Sequence, residues 1–339
     1  MPLRSLKHLP ATAARGSTDQ QIAASAATTP TAAPPIIAAG PRRRRMTPAL
    51  WVRRGGISTL LFFVPLLFCF GYFAWWPIVR SLVLSFQQTN LVTPATWVGL
   101  ENFHRVLADP LLLTATLNTL WFTVLAVIIG FPVPVLLATA IAEMRRWRQV
   151  ASVLAYIPTI IPPVVAVLLW KMFYDPSENG LFNAVLHSVG AGPFGWLQNP
   201  LSAMPSIVVQ ATWAGFGQTT IIYLAALMSI SPELYEAAEV DGAGILRRAW
   251  HVTLPQLRGV ILLMLLLQLI GTLQVFTEPF VMTAGGPENR TTTLLMLIYR
   301  YAFVSGDYGR ATALSLLLAV ALCLVSAVYL WATRKWSRS

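Results

Sequence analysis

The sequence predicts an all-α fold, a polytopic transmembrane helical bundle of about six membrane helices with a short cytoplasmic helix between the fourth and the fifth. Two observations lead to this prediction. First, 56% of the 339 residues are hydrophobic and only 11% are charged, whereas soluble globular proteins carry about 25% charged residues. Second, several apolar stretches are near or above the roughly 20 residues that cross a bilayer. The chain therefore lacks the polar surface of a water-soluble protein of this length.

The apolar stretches are separated by short segments that contain most of the polar residues. They cover residues 57–79, 114–142, 150–172, 203–229, 259–283 and 311–332. Several contain proline, and the third contains Pro158, Pro162 and Pro163. Neighbouring helices in a membrane bundle satisfy the carbonyls that proline leaves free. We therefore expect kinked membrane helices in these stretches.

The N-terminal region differs in composition from the rest of the chain. Residues 1–45 are rich in Ala, Thr, Pro and Arg and contain no aromatic residue. Such a segment buries too little apolar surface to offset the entropy lost on ordering. No apolar run directly follows its first basic residues, which is unlike a signal peptide. We predict a disordered cytoplasmic tail over residues 1–45 and a transmembrane domain over residues 46–339.

The basic residues indicate the orientation of the chain. The net charge is +11, and most Lys and Arg residues fall in the N-terminal block, the C-terminus and the two loops after the second and fourth apolar stretches. Short loops rich in Lys and Arg stay in the cytoplasm. Both termini are therefore predicted to be cytoplasmic in a multi-pass protein of the cell membrane. Topology accounts for the positive charge, and no nucleic-acid partner is predicted.

No catalytic, cofactor or metal site is predicted. Cys69 and Cys323 both lie in apolar stretches, where a cysteine behaves as a small hydrophobic residue. The histidines are scattered over different loops, and no glycine-rich phosphate-binding motif is present. The sequence therefore predicts that the chain is not an enzyme.

The loop between the fourth and fifth stretches contains a predicted short helix. Ser231 is a good N-cap and Pro232 suits the first helical position. Gly242 or Gly244 can end the helix in a left-handed conformation, which leaves about ten residues, too few to span a bilayer. Local rules leave two interpretations open: a solvated interfacial helix without a partner, or a docking helix whose carboxylates bind a basic partner.

This segment, about residues 231–255, resembles the signature of ABC importer permeases. That signature is Glu-Ala-Ala, three residues, Gly, nine residues, an aliphatic residue, any residue and Leu-Pro. The matching residues are Glu236, Ala237, Ala238, Gly242, Val252, Leu254 and Pro255, with Asp241 in the frequent Asp-Gly-Ala sequence. Val252 replaces the usual Ile. The resemblance implies a coupling helix that docks into a cleft of the ABC ATPase subunit.

The resemblance extends over most of residues 57–335 and favours the carbohydrate-type branch, which includes maltose and glycerol-phosphate permeases. It is based on Asn118-Thr119, on Tyr174-Asp175-Pro176 followed by Gly180-Leu181-Phe182-Asn183, and on Thr283-Ala284-Gly285-Gly286-Pro287 followed by Tyr301-Ala302-Phe303. It implies a permease subunit of an ATP-driven, binding-protein-dependent sugar importer that works by alternating access. The implied partners are ABC ATPase subunits, a second permease in a heterodimer, an extracytoplasmic sugar-binding protein and the lipid bilayer.

Other functions remain open at this point. An importer permease for a non-sugar solute, such as glycerol phosphate or a polyamine, would carry the same coupling segment. A secondary transporter would show paired hydrophobic repeats or buried charge relays, and a membrane-embedded enzyme would need a cluster of His, Asp or Glu. Neither pattern is present in the sequence.

Polar side chains within the apolar stretches are candidates for the substrate path, because polar groups at membrane depth usually face a cavity or a partner helix. The candidates are Asn118, Gln210, Gln218, Gln268, Gln274 and Glu278. Trp75, Trp76, Trp121 and Trp213 are possible aromatic platforms for a sugar. For each of these residues a structural role, such as a bond between helices or an anchor at the membrane interface, is the alternative.

Overall fold

The computed structural model describes residues 56–144, 146–178 and 180–334. The tail predicted to be disordered, residues 1–45, lies outside this part of the chain. The chain divides into two units at Phe63, within the first described helix. Only residues 56–63 of the first unit are described, and the packing reported below concerns the second unit, Val64–Ser339.

Helices make up almost all of the regular structure in the described residues. The α-helices are α1 (Gly56–Phe70), α2 (Trp76–Leu84), α3 (Glu101–Leu107), α4 (Pro110–Leu125), α5 (Pro132–Glu143), α6 (Arg148–Ile160), α7 (Pro163–Phe173), α8 (Leu181–Ser188), α9 (Ala203–Met228), α10 (Pro232–Val240), α11 (Ile245–Arg248), α12 (Leu254–Thr272), α13 (Thr277–Thr283), α14 (Leu294–Tyr299) and α15 (Tyr308–Thr333). The π-helical segments are Gly71–Trp75, Ala126–Gly130, Ala249–Thr253 and Arg300–Val304. Strands β1 (Gln87–Gln88) and β2 (Thr96–Trp97) form a short antiparallel pair.

Four helical segments of the described chain are long and apolar enough to cross a membrane. They are Thr59–Leu84, Pro110–Glu143, Ala249–Thr272 and Tyr308–Thr333. Two bent pairs also pass when each is taken as one span: α6 with α7, bent by 94°, and α9 with α10, bent by 74°. The number of spans is therefore between four and six, which confirms the predicted class of a polytopic helical membrane protein.

The third apolar stretch, predicted as a kinked membrane helix over residues 150–172, forms two helices that are bent by 94° relative to each other. Helix α6 ends at Ile160, and Ile161 and Pro162 have extended backbones with ψ near 129° and 135°. Each of these residues precedes a proline, whose ring disfavours a helical backbone in the residue before it. Pro163 then occupies the start of α7, where its missing N–H costs nothing.

The fifth stretch is displaced from its predicted range of 259–283. The span begins at Ala249 and ends at Thr272, after which α13 begins separately at Thr277. Pro255 does not break the start of this span, because it lies in the first turn of α12 directly after a π-helical segment. Glu278 therefore lies in a separate short helix and not in the membrane span.

Helix α9 occupies a central position, since it packs against α5, α6, α7, α12 and α13. Its contact with α6 is especially close at Gly217. A Cβ atom on Gly217 would lie 2.3 Å from the carbonyl oxygen of Ala155 and 2.8 Å from the Thr159 hydroxyl. Six residues after Gly217, the fully buried side chain of Tyr223 packs with α5 and α12 in one of the apolar clusters. The contact at Gly217 leaves no room for a side chain.

An ion-pair network joins the start of α4 to the start of α15. The Arg310 guanidinium contacts the carboxylate of Asp109 and lies 4.0 Å above the ring of Tyr301, whose hydroxyl donates to Asp109 at 2.7 Å. Arg105 pairs with Asp307 at 2.8 Å. Burial opposes ionisation of Asp109, but hydrogen bonds from Tyr301 and Leu111 and the charge of Arg310 outweigh it, so the pKa of the carboxyl is lowered. The network fixes the two helix ends together.

Candidate functional site

Residues 231–255, the candidate coupling segment, contain the short helix predicted from the capping residues. Helix α10 begins at Pro232 and ends at Val240. Its C-terminus forms a Schellman motif: the Ala243 N–H donates to the Ala238 carbonyl at 2.9 Å, and the Gly242 N–H donates to the Glu239 carbonyl at 3.0 Å. The φ angle of Gly242 is 72°, which confirms the left-handed conformation expected there.

The N-terminus of α10 differs from the prediction in one respect. Ser231 occupies the N-cap position with an extended backbone, but its side chain makes no capping hydrogen bond. Pro232 has no N–H, which leaves one donor fewer to satisfy in the first turn. The start of the helix is therefore set by the proline and by the break in the chain after α9 rather than by the Ser231 hydroxyl.

The surface of α10 is not covered by the rest of the described chain. No residue of the helix is buried, and Glu236 and Ala237 are exposed. Val240 is 88% exposed and Trp250, in the following π-helical segment, is 69% exposed. Apolar side chains grouped with carboxylates on an exposed surface are typical of a protein-binding site. The segment has the composition and exposure of a docking surface.

Two side-chain contacts connect helix α10 to the segment that directly precedes α12. The Tyr235 hydroxyl lies 3.1 Å from the Thr253 hydroxyl, and the Thr253 side chain is buried. The Glu239 carboxylate forms a salt bridge with Arg248. Leu254 and Pro255 follow directly and begin α12. Helix α10 is therefore connected to the start of α12 by side-chain contacts as well as by the backbone.

A cavity of about 840 Å³ lies between α9, α12 and the π-helical segment after α4. Its polar lining consists of Thr212, Gln218, Thr219, Gln268, Thr272, Gln274, Thr277 and Glu278, and its aromatic lining consists of Phe122, Phe216 and Phe276. Gln268 is held in place by a 2.8 Å hydrogen bond from its amide nitrogen to the Ala126 carbonyl at the start of the π-helical segment. This cavity offers amide and hydroxyl groups beside aromatic rings.

The structure brings together four of the six polar candidates. Gln218, Gln268, Gln274 and Glu278 all line the cavity. Burial raises the pKa of the Glu278 carboxyl above its usual value. The four proposed tryptophan platforms do not line the cavity: Trp213 packs against Trp170 with their rings tilted by 53°, and the other three are at least 50% exposed.

Asn118 and Gln210 lie outside the cavity lining. The Asn118 amide donates to the carbonyls of Asn289 at 2.7 Å and Thr292 at 2.9 Å, so it fixes the loop between α13 and α14. Gln210 is fully buried within the described chain. Neither polar atom of its amide has a hydrogen-bond partner among the described residues. A polar residue in a membrane helix can bond to another segment, as Asn118 does, or line a cavity, and the apolar pattern alone does not separate these cases.

We expect Asn118→Ala to destabilise the protein, because the buried hydrogen bond to the Thr292 carbonyl is lost, at a cost of about 1–3 kcal/mol for an unsatisfied buried group. The Asn289 carbonyl is part-buried and keeps the Thr292 N–H as a donor. The apparent Tm in detergent should fall clearly below that of the wild type. Leu117→Ala is the matched control, since Leu117 is on the same helix and is 57% exposed. Equal Tm values for the two variants would contradict the role of Asn118 as a loop anchor.

The sequence-based reasoning missed several residues of the cavity lining. Thr212, Phe216 and Thr219 lie along one face of α9, spaced at three to four residues. This spacing is that of one side of a helix, and a row of polar and aromatic residues on an otherwise apolar membrane helix was the available signal.

Residues 130–338 match the family model described as the inner membrane component of a binding-protein-dependent transport system. The chain belongs to this family. It is 32% identical to the trehalose/maltose transport system permease protein MalF of Thermococcus litoralis, with 84% of this chain and 96% of that protein covered. It is 30% identical to the arabinooligosaccharides transport system permease protein AraP of Bacillus subtilis, with 80% of this chain and 86% of that protein covered.

A solved structure shares this fold over nearly its full length. A chain of a bacterial ABC transporter involved in import of the acidic polysaccharide alginate matches this permease with a TM-score of 0.75 and 28% identity, covering 85% of this permease and 99% of that chain. The described residues of the permease contain no group of three His, Cys, Asp or Glu side chains placed to hold a metal ion.

Proposed function

We propose that this permease is one of two membrane subunits of an ATP-driven, binding-protein-dependent saccharide importer. The observation that supports this most directly is the exposed helix α10, which carries Glu236, Ala237 and Ala238 and is joined by side-chain contacts to the root of α12. Helix α12 in turn lines the cavity. One structural unit therefore connects a docking surface with a candidate substrate path.

The proposed mechanism is alternating access. ABC ATPase subunits dock on the coupling segment, where Glu236 and Asp241 supply negative charge, Ala237 and Ala238 allow close approach, and Gly242 ends the helix. Closure of the ATPase dimer displaces α10, and Leu254 and Pro255 pass this displacement to α12. Because α12 lines the cavity, its movement changes the side from which the cavity is open. Rigid displacement of a helical unit is a common means of such switching.

A saccharide is the substrate class that the lining supports best. Gln218, Gln268 and Gln274 supply amide groups, Glu278 supplies an acceptor for sugar hydroxyls, and Phe216 supplies an aromatic face. The named relatives transport saccharides. A permease for glycerol phosphate or a polyamine, or a secondary transporter, is not favoured by these relatives.

The proposed partners follow from the family. A related alginate transporter was solved in complex with a periplasmic protein that binds an alginate pentasaccharide. We infer that an extracytoplasmic saccharide-binding protein delivers substrate to this permease, and that a second permease forms the other half of the path in a heterodimer. Both termini lie in the cytoplasm, and α10 lies on the same side.

The orientation is testable by cysteine labelling in a background with Cys69 and Cys323 replaced by Ser. Gly244→Cys should react with a membrane-impermeant maleimide only in inside-out vesicles, and Arg290→Cys only in right-side-out vesicles. Both positions are exposed. The opposite labelling pattern would place α10 outside the cell and would exclude ATPase docking.

The function itself is tested by assembling the permease with its ATPase, partner permease and binding protein in liposomes. A saccharide panel first identifies the sugars that bind the binding protein. We expect uptake of those sugars to require ATP and this chain. Uptake that persists in the absence of ATP, or a binding protein that binds only non-carbohydrate solutes, would contradict the proposal.

A further inference from the structure

The cavity contains one ionisable side chain. Among the described residues that line it, only Glu278 carries a charge, and no Lys, Arg or His contributes to the lining. The remaining polar groups are neutral amides and hydroxyls. The contribution of this subunit to the electrostatic potential of the path therefore depends on the ionisation of one carboxyl.

The surroundings of Glu278 leave this carboxyl without a counter-ion. Glu278 is half-buried in the first turn of α13, and within the described residues it forms no salt bridge. Lys171 reaches the same short helix, but its amine donates to the Val281 carbonyl at 3.3 Å and lines a neighbouring groove of about 500 Å³. Glu278 therefore lines the cavity without a salt bridge to a cation of the described chain.

We propose that the Glu278 carboxylate is a specificity-determining group that makes the path selective for neutral, hydroxyl-rich solutes and cations over anionic solutes. This inference depends on the proposed function, since it assumes that the cavity is part of the path. A carboxylate accepts hydrogen bonds from sugar hydroxyls, whereas it repels a uronic acid or phosphate. The repulsion is strong because charges interact more strongly beside low-dielectric walls than in water.

We expect the substrate of this permease to differ in charge from that of its solved relative. That relative imports an acidic polysaccharide, and a cavity with one carboxylate and no cation is poorly suited to such a substrate. We therefore expect neutral saccharides, and not uronic acid oligomers, to be the substrates here.

Charge-selective cysteine modification tests this without knowledge of the natural substrate. In the background without Cys69 and Cys323, Gln274→Cys places a thiol in the cavity lining, and Gln218→Cys places a second reporter on α9. The full chain, assembled with its partner subunits in membrane vesicles, is treated with a cationic and an anionic methanethiosulfonate. The measured quantity is the rate of cysteine modification by the cationic reagent divided by the rate with the anionic reagent. This ratio is then divided by the same ratio for a free thiol in solution.

We expect the relative ratio to favour the cationic reagent by about tenfold at pH 8, and Glu278→Gln to remove most of this preference. The measurement is made at pH 8 because burial raises the pKa of the Glu278 carboxyl. Glu288→Gln is the matched control: Glu288 is an exposed acid ten residues away, outside the cavity lining. Its ratio should equal that of the unmodified background.

The outcomes separate the two proposals. If neither reagent modifies the reporter cysteines, the cavity is closed to water-soluble solutes and the proposed path is wrong. If both reagents react but the ratio is the same with Glu and Gln at position 278, the path stands and the charge-selection proposal is overturned. A ratio that changes equally in Glu288→Gln would also overturn it, because the effect would then come from surface charge.

Discussion

Replacing Glu236 by Lys is expected to abolish uptake while the protein still inserts in the membrane. Glu236 is exposed on α10 and has no salt bridge within the described residues, so its loss removes no stabilising contact of the chain itself. On the proposed docking surface, the change replaces a carboxylate by an ammonium where we expect a basic group of the ATPase to bind. Like-charge contacts at an interface cost several kcal/mol, enough to release the partner.

The measurement combines two readings from the same membranes. Co-purification of the ATPase with tagged Glu236→Lys should fall at least about tenfold, which corresponds to about 1.4 kcal/mol, and uptake of a sugar bound by the binding protein should fall to background. Glu178→Lys is the control, since Glu178 is exposed outside the coupling segment. Normal ATPase binding and normal uptake in Glu236→Lys would show that α10 is not the coupling helix.

Gly242→Asp tests the same segment by a different physical effect. A Cβ atom at this position meets no atom within 4 Å, and the φ angle is 72°. The substitution therefore costs about 1 kcal/mol or more in backbone strain, because a residue with a side chain must adopt the left-handed conformation. It also adds a side chain to the proposed docking surface. We expect reduced ATPase co-purification with wild-type membrane yield. Unchanged co-purification and uptake would limit the docking surface to the helix before Gly242.

Gly217→Ala is expected to cause a large loss of stability. The added Cβ would lie 2.3 Å from the Ala155 carbonyl oxygen, which is backbone and cannot rotate away. Helices α6 and α9 must then separate, and α9 is also in contact with α5 and α12. Forced overpacking of this kind costs about 1–3 kcal/mol, and sometimes more. The apparent Tm in detergent should fall by about 5 °C or more.

Gly215→Ala provides the matched comparison on the same helix. A Cβ atom at Gly215 meets nothing within 4 Å, and replacing a helical glycine by alanine at an unobstructed site stabilises by about 0.4–1 kcal/mol. The two variants should therefore shift the Tm in opposite directions. A similar shift in both would show that α6 and α9 are not in close contact at Gly217 in the membrane.

The sequence alone predicted the membrane class and, in residues 231–255, a short helix that ends at a left-handed glycine, both of which the structure confirms. These features depend on local chemistry: the length of an apolar run, the order of capping residues and the need of a helix end for a left-handed residue. The break before Pro163 was also encoded locally, since two consecutive residues precede a proline. Treating those prolines as kinks overlooked that signal.

The tertiary structure decided which polar side chains reach the cavity. Gln268 and Asn118 are both amide side chains within apolar stretches of the sequence. Gln268 lines the cavity, whereas Asn118 donates hydrogen bonds to two loop carbonyls. The difference arises from the rotation of each helix about its axis and from the segment packed against it. Those are set by contacts between residues distant in the chain, such as that between Gly217 and Ala155. A local pattern specifies them only where a membrane helix has a distinct face, as α9 has at Thr212, Phe216 and Thr219.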